Sequence, residues 1–167
     1  MPESAASSRR HVPVQQLPTP LILGWQEWVA LPDLGLPALK AKIDTGARTS
    51  ALHTHQIEPY GSAERPMVRF TVRPDPDRED LQVEAHAAII DQREVTSSNG
   101  ERELRFVIET RLSLGEWEWP IEITLTNRER MSYRMLLGRQ AIRPNVLVDP
   151  DAKFRQPLLG YELYGGG

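Results

Sequence analysis

The chain has 167 residues, a formal net charge of −3 at pH 7 and no cysteine. This length is sufficient for one domain with its own hydrophobic core. The lack of cysteine excludes disulfides and thiol catalysis, and it removes the commonest ligand of structural zinc. The slightly acidic balance gives no reason to expect nucleic-acid binding, and no apolar run is long enough to cross a membrane. Composition therefore indicates a small globular protein that binds neither nucleic acid nor membrane.

The first 20 residues differ in composition from the rest of the chain. They contain Ser, Arg and Pro with little apolar periodicity, which predicts a disordered or loosely docked N-terminal arm. No apolar segment follows their charges, so we expect no secretory signal and a cytoplasmic location. The expected domain covers residues 21–150, and residues 151–167 form a C-terminal tail that ends in three glycines.

Within residues 21–150, short stretches of alternating apolar and polar residues are separated by Pro, Gly and Asn, a pattern typical of β-strands. The first predicted strand covers 21–31, ends at the turn 32–37, and forms a hairpin with the strand 39–43. The strand 81–90 is expected to be buried on both faces, and 146–148 to be the last core strand. Further strands are predicted over 67–73, 104–109, 112–119, 121–126 and 133–137. Together with one short helical turn over 140–143, this pattern predicts an all-β fold with at most one short helix.

The strand 39–43 leads an acidic residue, Asp44, into the sharp turn Thr45-Gly46. Glycine at this position permits backbone conformations closed to other residues and the close approach of a second backbone. An Asp-x-Gly sequence is also common in ordinary turns. These three residues alone therefore leave open a structural turn or a catalytic carboxylate.

Two motifs resemble known protein families. The tetrapeptide at 44–47, Asp-Thr-Gly-Ala, resembles the active-site signature of retropepsin-like aspartic proteases, and the stretch 135–142 resembles their second element, two apolar residues followed by Gly and often Arg. The longer string 43–53, together with 119–127, is similar to the RimB-type family. That family also carries the label ATP-dependent zinc protease and is placed with RimK-type glutamate ligases.

The resemblance implies a closed retropepsin-like barrel with aspartic endopeptidase activity. One chain carries a single Asp-Thr-Gly, so a site with two carboxylates requires a homodimer in which Asp44 meets Asp44 of the partner subunit. Thr45 would lock the two turns together, and Gly46 would offer its carbonyl to the substrate. The implied substrate is a protein or peptide, with trimming of glutamate tails added by a RimK-type ligase, itself an implied partner. The alternative is a non-catalytic binding or accessory protein on the same fold.

Three residues close to these motifs are expected to contact substrate: Ala47, Arg48 and Arg139. Viral retropepsins usually carry an acid at the position of Arg48, paired with the Arg that follows the later Gly. Here both positions are basic. Either an acid from elsewhere bridges them, or Arg48 recognises an acidic substrate, since a guanidinium binds a carboxylate bidentately.

The segment 93–101 predicts a hairpin with Asn99-Gly100 at its tip. In retropepsins a hairpin at this place in the chain is the flap that closes over the substrate. Here the tip carries Ser97, Ser98 and Asn99, which would hydrogen-bond the polar backbone of a substrate. An ordinary surface turn remains the alternative interpretation.

His53 and His55 form a His-x-His pair, which on one strand would place both imidazoles on one face as half of a zinc site. His86 and an acid, Glu58 or Glu84, are the candidates to complete it. The chain has only four His and no His-Glu-x-x-His motif, so we expect no metal, with a zinc-dependent hydrolase as the alternative. It also lacks a phosphate-binding loop of the Gly-x-x-x-x-Gly-Lys type, so no nucleotide cofactor is expected.

Overall fold

The computed structural model describes residues 20–96, 99–127, 133–142 and 146–165, together with the backbone of residues 10 and 11. One α-helix, α1 (Arg139–Ile142), and two 3-10 turns, Pro32–Leu34 and Tyr161–Tyr164, occur in these ranges. The strands are β1 (Arg10–His11), β2 (Leu21–Gly24), β3 (Gln26–Leu31), β4 (Leu36–Asp44), β5 (Ser50–His53), β6 (His55–Gly61), β7 (Pro66–Val72), β8 (Val83–Ala88), β9 (Asp91–Thr96), β10 (Arg102–Leu114), β11 (Trp117–Thr126), β12 (Met135–Gly138) and β13 (Val146–Asp149).

Six strands close into a mixed barrel in the order β11-β5-β12-β4-β3-β10, because β10 also pairs with β11. β9 extends the sheet beyond β10, and β1 pairs with β11 in parallel. The predicted fold class, an all-β closed barrel with at most one short helix, is confirmed for the described part of the chain. None of the helices in these ranges is both long enough and apolar enough to span a membrane.

The core lies inside the barrel and continues under a separate three-stranded sheet, β6-β7-β8. Strand alternation sends one face of each barrel strand inward, and burial of each such side chain contributes about 1.5–3 kcal/mol. Phe70 of β7 is fully buried against the same cluster, so the small sheet and the barrel share one core. Among the described residues, the largest fully buried side chains include Leu23, Leu31, Leu36, Leu39, Leu52, Phe70, Ile108, Leu112, Leu114, Ile123, Leu125 and Met135.

The predicted first strand is broken into two strands at Trp25. Its amide donates to the carbonyl of Ala152, and its carbonyl accepts from the amide of Ile43, each at 2.8 Å. β2 therefore leaves the barrel and pairs in parallel with β13 as a two-stranded ribbon. The expectation of one continuous strand over 21–31 was wrong because a contact distant in sequence bends the chain.

Two further strands lie closer to solvent than the sequence indicated. In β8, Ala85 is the one residue that is buried, so the expectation of burial on both faces was wrong. In β13, Val146 and Val148 pack against the core from its margin, whereas Leu147 is 56% exposed. Short apolar runs at a sheet edge and in a core have the same sequence pattern.

Two hairpins occur where the turn residues predicted them. The predicted strands 112–119 and 121–126 were wrong, because the third hairpin turns at Gly115 and its second strand runs through Pro120. β3 pairs with β4, and β9 pairs with β10 across the Asn99-Gly100 tip, where Gly100 has a φ of 88°. β10 and β11 are joined through Gly115, with a φ of 62°. Pro120 lies in β11 between the residues paired with β1 and those paired with β5, so its missing N–H removes no ladder bond there.

The segment after residue 150 packs against the barrel. Glu27 is fully buried in β3, and its carboxylate accepts the amides of Gly24, Arg155 and Gln156 at 2.6, 2.9 and 3.1 Å. The hydroxyl of Tyr164 donates to the carbonyl of Ala38 at 2.6 Å. The division of the chain into an arm, a domain and a tail stays a prediction.

Candidate active site

Asp44 is the last residue of β4 and is half-buried. The amide of Gly46 donates to Asp44 Oδ1 at 3.0 Å, and the amide of Ala47 donates to the Asp44 carbonyl at 3.1 Å. These local bonds form the turn that the sequence predicts, and they hold the carboxylate in one orientation. One side of the Asp44 carboxylate is thereby fixed by backbone.

A second strand supports this turn. β12 runs parallel to β4 and places Gly138 opposite Asp44. Beyond it, the amide of Arg139 donates to the carbonyl of Ala47 at 2.8 Å. The two stretches singled out in the sequence, 44–47 and 135–142, are therefore in direct contact in the structure.

Gly138 has a physical reason to be glycine. A Cβ at this position would lie 2.5 Å from the carbonyl oxygen of Thr49, well inside van der Waals contact. The close approach also lets the Gly138 amide donate to Ser50 Oγ at 3.0 Å in a buried position. The backbone behind the Asp44 turn is thus packed too tightly for any side chain at residue 138.

The side chain of Arg139 lies along the turn. Its Nη1 donates to the carbonyl of Gly46 at 3.3 Å and reaches the carbonyl of Thr45 at 3.5 Å. Thr45 and Gly46 are both exposed. Arg139 therefore contacts the turn itself, while the outer surface of the turn is open to solvent.

A cleft of ≈ 710 Å³ lies in front of the turn. Residues 46–49 form one wall, and residues 93–96 of β9 form the opposite wall, with Glu122 and Gln140 completing the lining. A second cavity of ≈ 370 Å³ shares four of these residues and continues the cleft over β10 and β11. An extended peptide therefore has a groove leading past the Asp44 turn.

The model of RimB-like proteins, described as "Retropepsin-like aspartic endopeptidase RimB", matches residues 22–158. The chain belongs to the RimB-like family of retropepsin-like aspartic endopeptidases. The family resemblance deduced from the Asp-Thr-Gly-Ala motif and its extended string is confirmed, as is the enzyme class that the family carries.

Curated relatives that match this RimB-like chain are named "Probable alpha-L-glutamate ligase". The protein from Shewanella pealeana is 44% identical over 148 residues, 86% of this chain and 32% of the relative. That from Parasynechococcus marenigrum is 47% identical over 131 residues, 78% of this chain and 28% of the relative. The chain thus spans about a third of the length of the curated relatives it matches.

A solved structure also matches the RimB-like fold. The crystal structure of Lpg0085 from Legionella pneumophila, titled as a protein with unknown function, superimposes with a TM-score of 0.67 at 31% identity. The match covers 81% of this chain and 97% of the Legionella chain.

Two arginines of the RimB-like cleft differ in their surroundings. Arg48 is exposed, and its guanidinium has no ion pair within 4.0 Å in the ranges the structure describes. Arg93 donates to Glu122 at 2.8 Å and to Asp91 at 3.0 Å. The hydrogen bond to Glu122 is the largest cause of a raised pKa at Arg93, and the hydrogen bond to Asp91 is the next. In turn, the hydrogen bond from Arg93 is the main cause of a lowered pKa at Asp91. No acid among the described residues bridges Arg48, and its role in recognising an acidic substrate stays a prediction.

Of the three predicted flap residues, the structure describes Asn99. β9 and the start of β10 form the hairpin that borders the cleft. Asn99 is exposed, and its Oδ1 accepts the amide of Glu101 at 3.3 Å. Ser97 and Ser98 lie outside the described residues, so their role in substrate binding stays a prediction.

The histidines do not assemble the zinc ligand set considered from the sequence. The rings of His53 and His55 meet edge to face with centroids 4.9 Å apart, but they belong to two strands, and His53 Nδ1 lies 3.2 Å from Arg134 Nη1. His86 lies on the three-stranded sheet, between Tyr60 and Glu84. No group of three or more His, Asp or Glu side chains suited to a metal occurs in the described ranges. These residues therefore do not fit a zinc centre.

Some residues of the site carried no signal in the sequence. Ser50 Oγ accepts the Gly138 amide, and Gln140 lines the cleft. In the sequence, neither residue differs from other polar positions. Arg93 and Glu122 are 29 residues apart, and their ion pair depends on the packing of β9, β10 and β11. Glu122 is an exposed residue of β11, and the alternation of residue types gives no information on the cleft that it lines.

Proposed function

We propose that the chain hydrolyses peptide bonds as a two-fold homodimer in which Asp44 faces Asp44 of the partner subunit. The observation that carries the proposal is the placement of Asp44: half-buried, oriented by the Gly46 amide, and next to an open groove. The family of retropepsin-like aspartic endopeptidases supplies the reaction class. Because each chain has one Asp-Thr-Gly, the second carboxylate comes from a second copy.

The exposed face of the turn supports this assembly. Thr45 and Gly46 are exposed, while the opposite side of the turn is held by β12 and Arg139. A rigid turn with one free face can meet its copy without refolding, which keeps the cost of association low. Thr45 Oγ1 is then the group that donates across the two-fold axis.

Two close carboxylates cannot both ionise easily, so the pair holds one proton. The ionised Asp44 takes a proton from a water held between the two carboxyl groups, and the water oxygen attacks the peptide carbonyl carbon. The protonated Asp44 of the partner subunit gives its proton to the carbonyl oxygen, forming a neutral diol. Asp44 then passes the proton that it took from the water to the amide nitrogen, while the ionised Asp44 of the partner subunit takes a hydroxyl proton from the diol. The C–N bond breaks and leaves a carboxyl group and an amine.

The substrate we propose is a protein carrying a glutamate tail. Relatives that contain a homologous segment are named "Probable alpha-L-glutamate ligase". We propose that a ligase of this kind adds the glutamates that this peptidase removes. Arg48 lines the cleft without an ion pair to any described residue, so its guanidinium is available to a carboxylate side chain. A glutamate ligase of RimK type is accordingly the proposed functional partner.

The first test is hydrolysis of a poly-glutamate-tailed protein by wild type and by Asp44→Asn, alongside molar mass by light scattering. Glu64→Gln is the matched control, because it removes an exposed acid between β6 and β7 that does not line the cleft. We expect a dimer mass, activity in wild type and control, and none in Asp44→Asn. Activity that survives in Asp44→Asn would refute the mechanism, and a clean monomer without activity would indicate a binding protein on this fold.

The substrate class is tested separately with peptides of equal length built on Glu or Gln. For Arg48→Glu we expect the ratio of kcat/KM for the Glu peptide over the Gln peptide to fall by about tenfold or more, since hydrogen bonds to charged groups contribute about 1.5–3 kcal/mol. Arg65→Glu, an exposed arginine that does not line the cleft, is the control. An unchanged ratio in Arg48→Glu would remove Arg48 from substrate recognition without affecting the Asp44 mechanism.

A further inference from the structure

A second concave site lies on the small sheet β6-β7-β8, outside the peptidase cleft. It is a cavity of ≈ 530 Å³, and the residues that line it are Ile57, Glu58, Pro59, Tyr60, Arg69 and His86. None of them lines the cleft in front of the Asp44 turn. Chemistry at this cavity is therefore independent of the catalytic aspartate.

Three side chains of this sheet form a continuous chain of hydrogen bonds. Tyr60 Oη lies 2.9 Å from His86 Nδ1, and His86 Nε2 lies 2.9 Å from Glu84 Oε2. Because a carboxylate only accepts hydrogen bonds, Nε2 of the neutral imidazole carries the hydrogen and donates to Glu84. Nδ1 then offers its lone pair and accepts the O–H of Tyr60. The Tyr60 hydroxyl thus faces a base whose tautomer is set by a carboxylate.

The strands hold these groups in register. Glu84 and His86 are two residues apart in β8, so their side chains share one face of the sheet. Arg69 of β7 is paired with His86 on one side and with Glu58 on the other, which aligns the three strands. The Tyr60 ring extends from β6 and meets the His86 ring edge-on, with centroids 5.8 Å apart. The hydroxyl, imidazole and carboxylate are therefore carried by one sheet.

The cavity is accessible and carries hydrogen-bond donors. Tyr60 is 46% exposed, and the side chain of His86 is 47% exposed. Ile57 packs against the core from its margin and gives the cavity an apolar wall. Arg69 pairs with Glu58 through Nη2, and a guanidinium has five N–H donors. Arg69 therefore brings further N–H groups to the cavity that Tyr60 lines.

We propose that Tyr60 is a nucleophile that accepts the acyl group of an activated ester, with His86 as its general base and Glu84 as a positioning residue. A hydroxyl within hydrogen-bond reach of a base, with that base oriented by a third group, is the arrangement that activates a nucleophile. The cavity beside the hydroxyl gives room for the acyl donor. The N–H groups of Arg69 stabilise the negative oxygen that develops during attack.

The reaction is an acyl transfer from oxygen to oxygen. The Tyr60 oxygen forms a bond to the acyl carbon while His86 Nδ1 takes the phenol proton. The bond between that carbon and the ester oxygen then breaks, and the imidazolium gives its proton to the departing oxygen. The products are O-acylated Tyr60 and an alcohol, and His86 is again neutral.

The test is acetylation of the full chain by p-nitrophenyl acetate, with the modified residues quantified by peptide mass spectrometry. We expect Tyr60 to be acetylated at least about tenfold faster in the folded chain than in the same chain unfolded in urea. His86→Gln keeps a polar side chain of similar size but no base, so it should reduce the rate at Tyr60 at least about tenfold. Tyr60→Phe should remove the fast phase of p-nitrophenol release.

Glu84→Gln tests the positioning role. Its matched control is Glu79→Gln, which changes an exposed acid that does not line the cavity. The amide of Gln brings donors, so it no longer sets the tautomer of His86. We expect a several-fold lower rate at Tyr60 in Glu84→Gln, together with changed nitrogen NMR chemical shifts of the His86 ring, and neither effect in the control.

Tyr60, Glu84 and His86 are all exposed, so these substitutions remove no core contact. Equal rates at Tyr60 in wild type and His86→Gln would overturn the proposal. So would a rate at Tyr60 that is no higher in the folded chain than in urea. Unchanged ring shifts in Glu84→Gln would overturn the role of Glu84.

Discussion

Gly138 lies opposite Asp44 in the parallel pairing of β12 with β4, and its amide donates to Ser50 Oγ. The carboxylate at the end of β4 is therefore supported by a backbone contact that excludes side chains, and by a hydroxyl from a third strand. Rigid support of this kind matters because a misplacement of about 1 Å can reduce a rate 100-fold.

Gly138→Ala should reduce both stability and activity. The new Cβ would meet the Thr49 carbonyl oxygen at 2.5 Å, so β12 or the turn must shift, at a cost of about 1–3 kcal/mol. Urea unfolding and peptide hydrolysis measure the two effects. Gly160→Ala is the control, because the atoms nearest to its Cβ belong to the flexible end of the Glu162 side chain. Equal losses in both variants would contradict the explanation from backbone packing.

Ser50→Ala should destabilise the domain by about 1–3 kcal/mol, because it leaves the buried Gly138 amide without its acceptor. Ser113→Ala is a matched control. Ser113 is equally buried, but its Oγ has no hydrogen-bond partner among the described residues, so we expect a neutral or stabilising effect. Thermal unfolding of the two variants side by side tests the comparison, and a larger loss at Ser113 would refute it.

Glu27→Gln should cost at least about 2 kcal/mol. The fully buried carboxylate accepts three backbone amides, whereas an amide side chain offers one oxygen and brings donors without acceptors. Arg155 and Gln156 donate to different oxygens of the Glu27 carboxylate, so hydrogen exchange should accelerate at whichever of the two amides loses its acceptor. The exposed Glu116→Gln should change stability by less than about 0.5 kcal/mol. Unchanged exchange in Glu27→Gln would show that the C-terminal segment is held by other contacts.

The ion pair of Asp33 with Arg111 predicts a small dependence of stability on pH. The side-chain hydrogen bond from Arg111, at 2.7 Å, lowers the pKa of Asp33 below its ordinary value of 3.8. A lowered folded-state pKa adds stability above the unfolded value, and that stability is lost as pH falls through the folded-state pKa. Both side chains are 44% exposed, so the contribution is below about 1 kcal/mol.

Asp33→Asn should therefore be slightly less stable than wild type at pH 6, with a difference that vanishes as pH falls well below 3.8. Urea unfolding of both proteins at several pH values measures it. A difference that grows on acidification would have the wrong sign and would contradict the assignment. High salt should reduce the difference at pH 6, since exposed charges are screened.

The local part of the fold could be predicted from the sequence. The turn after Asp44 and the hairpin tip at Gly100 depend on residues within a few positions of each other, and turn chemistry identifies them. The proximity of Gly138 to Asp44 could be predicted only from the family resemblance. No local pattern connects residues 94 positions apart.

The features that the sequence did not predict depend on distant contacts. The break at Trp25 requires Ala152, and the burial of Glu27 requires amides 128 and 129 residues away. An acid within a strand is typical of a solvent-facing position, and nothing in the local sequence marks Glu27 as buried. The free-energy cost of burying its carboxylate is offset only when backbone donors surround it. The alternation of residue types gives no information on those donors.

The parallel ribbon of β2 and β13 has a consequence for synthesis of the chain. Leu21 of β2 pairs with Val146 of β13, so β2 lacks this partner until more than 120 further residues have been made. Contacts this distant in sequence slow folding, because the intervening chain must be ordered or closed before they form. Formation of the ribbon is thus a late event that follows emergence of β13 from the ribosome, and until then the apolar Leu21 and Leu23 need protection from aggregation.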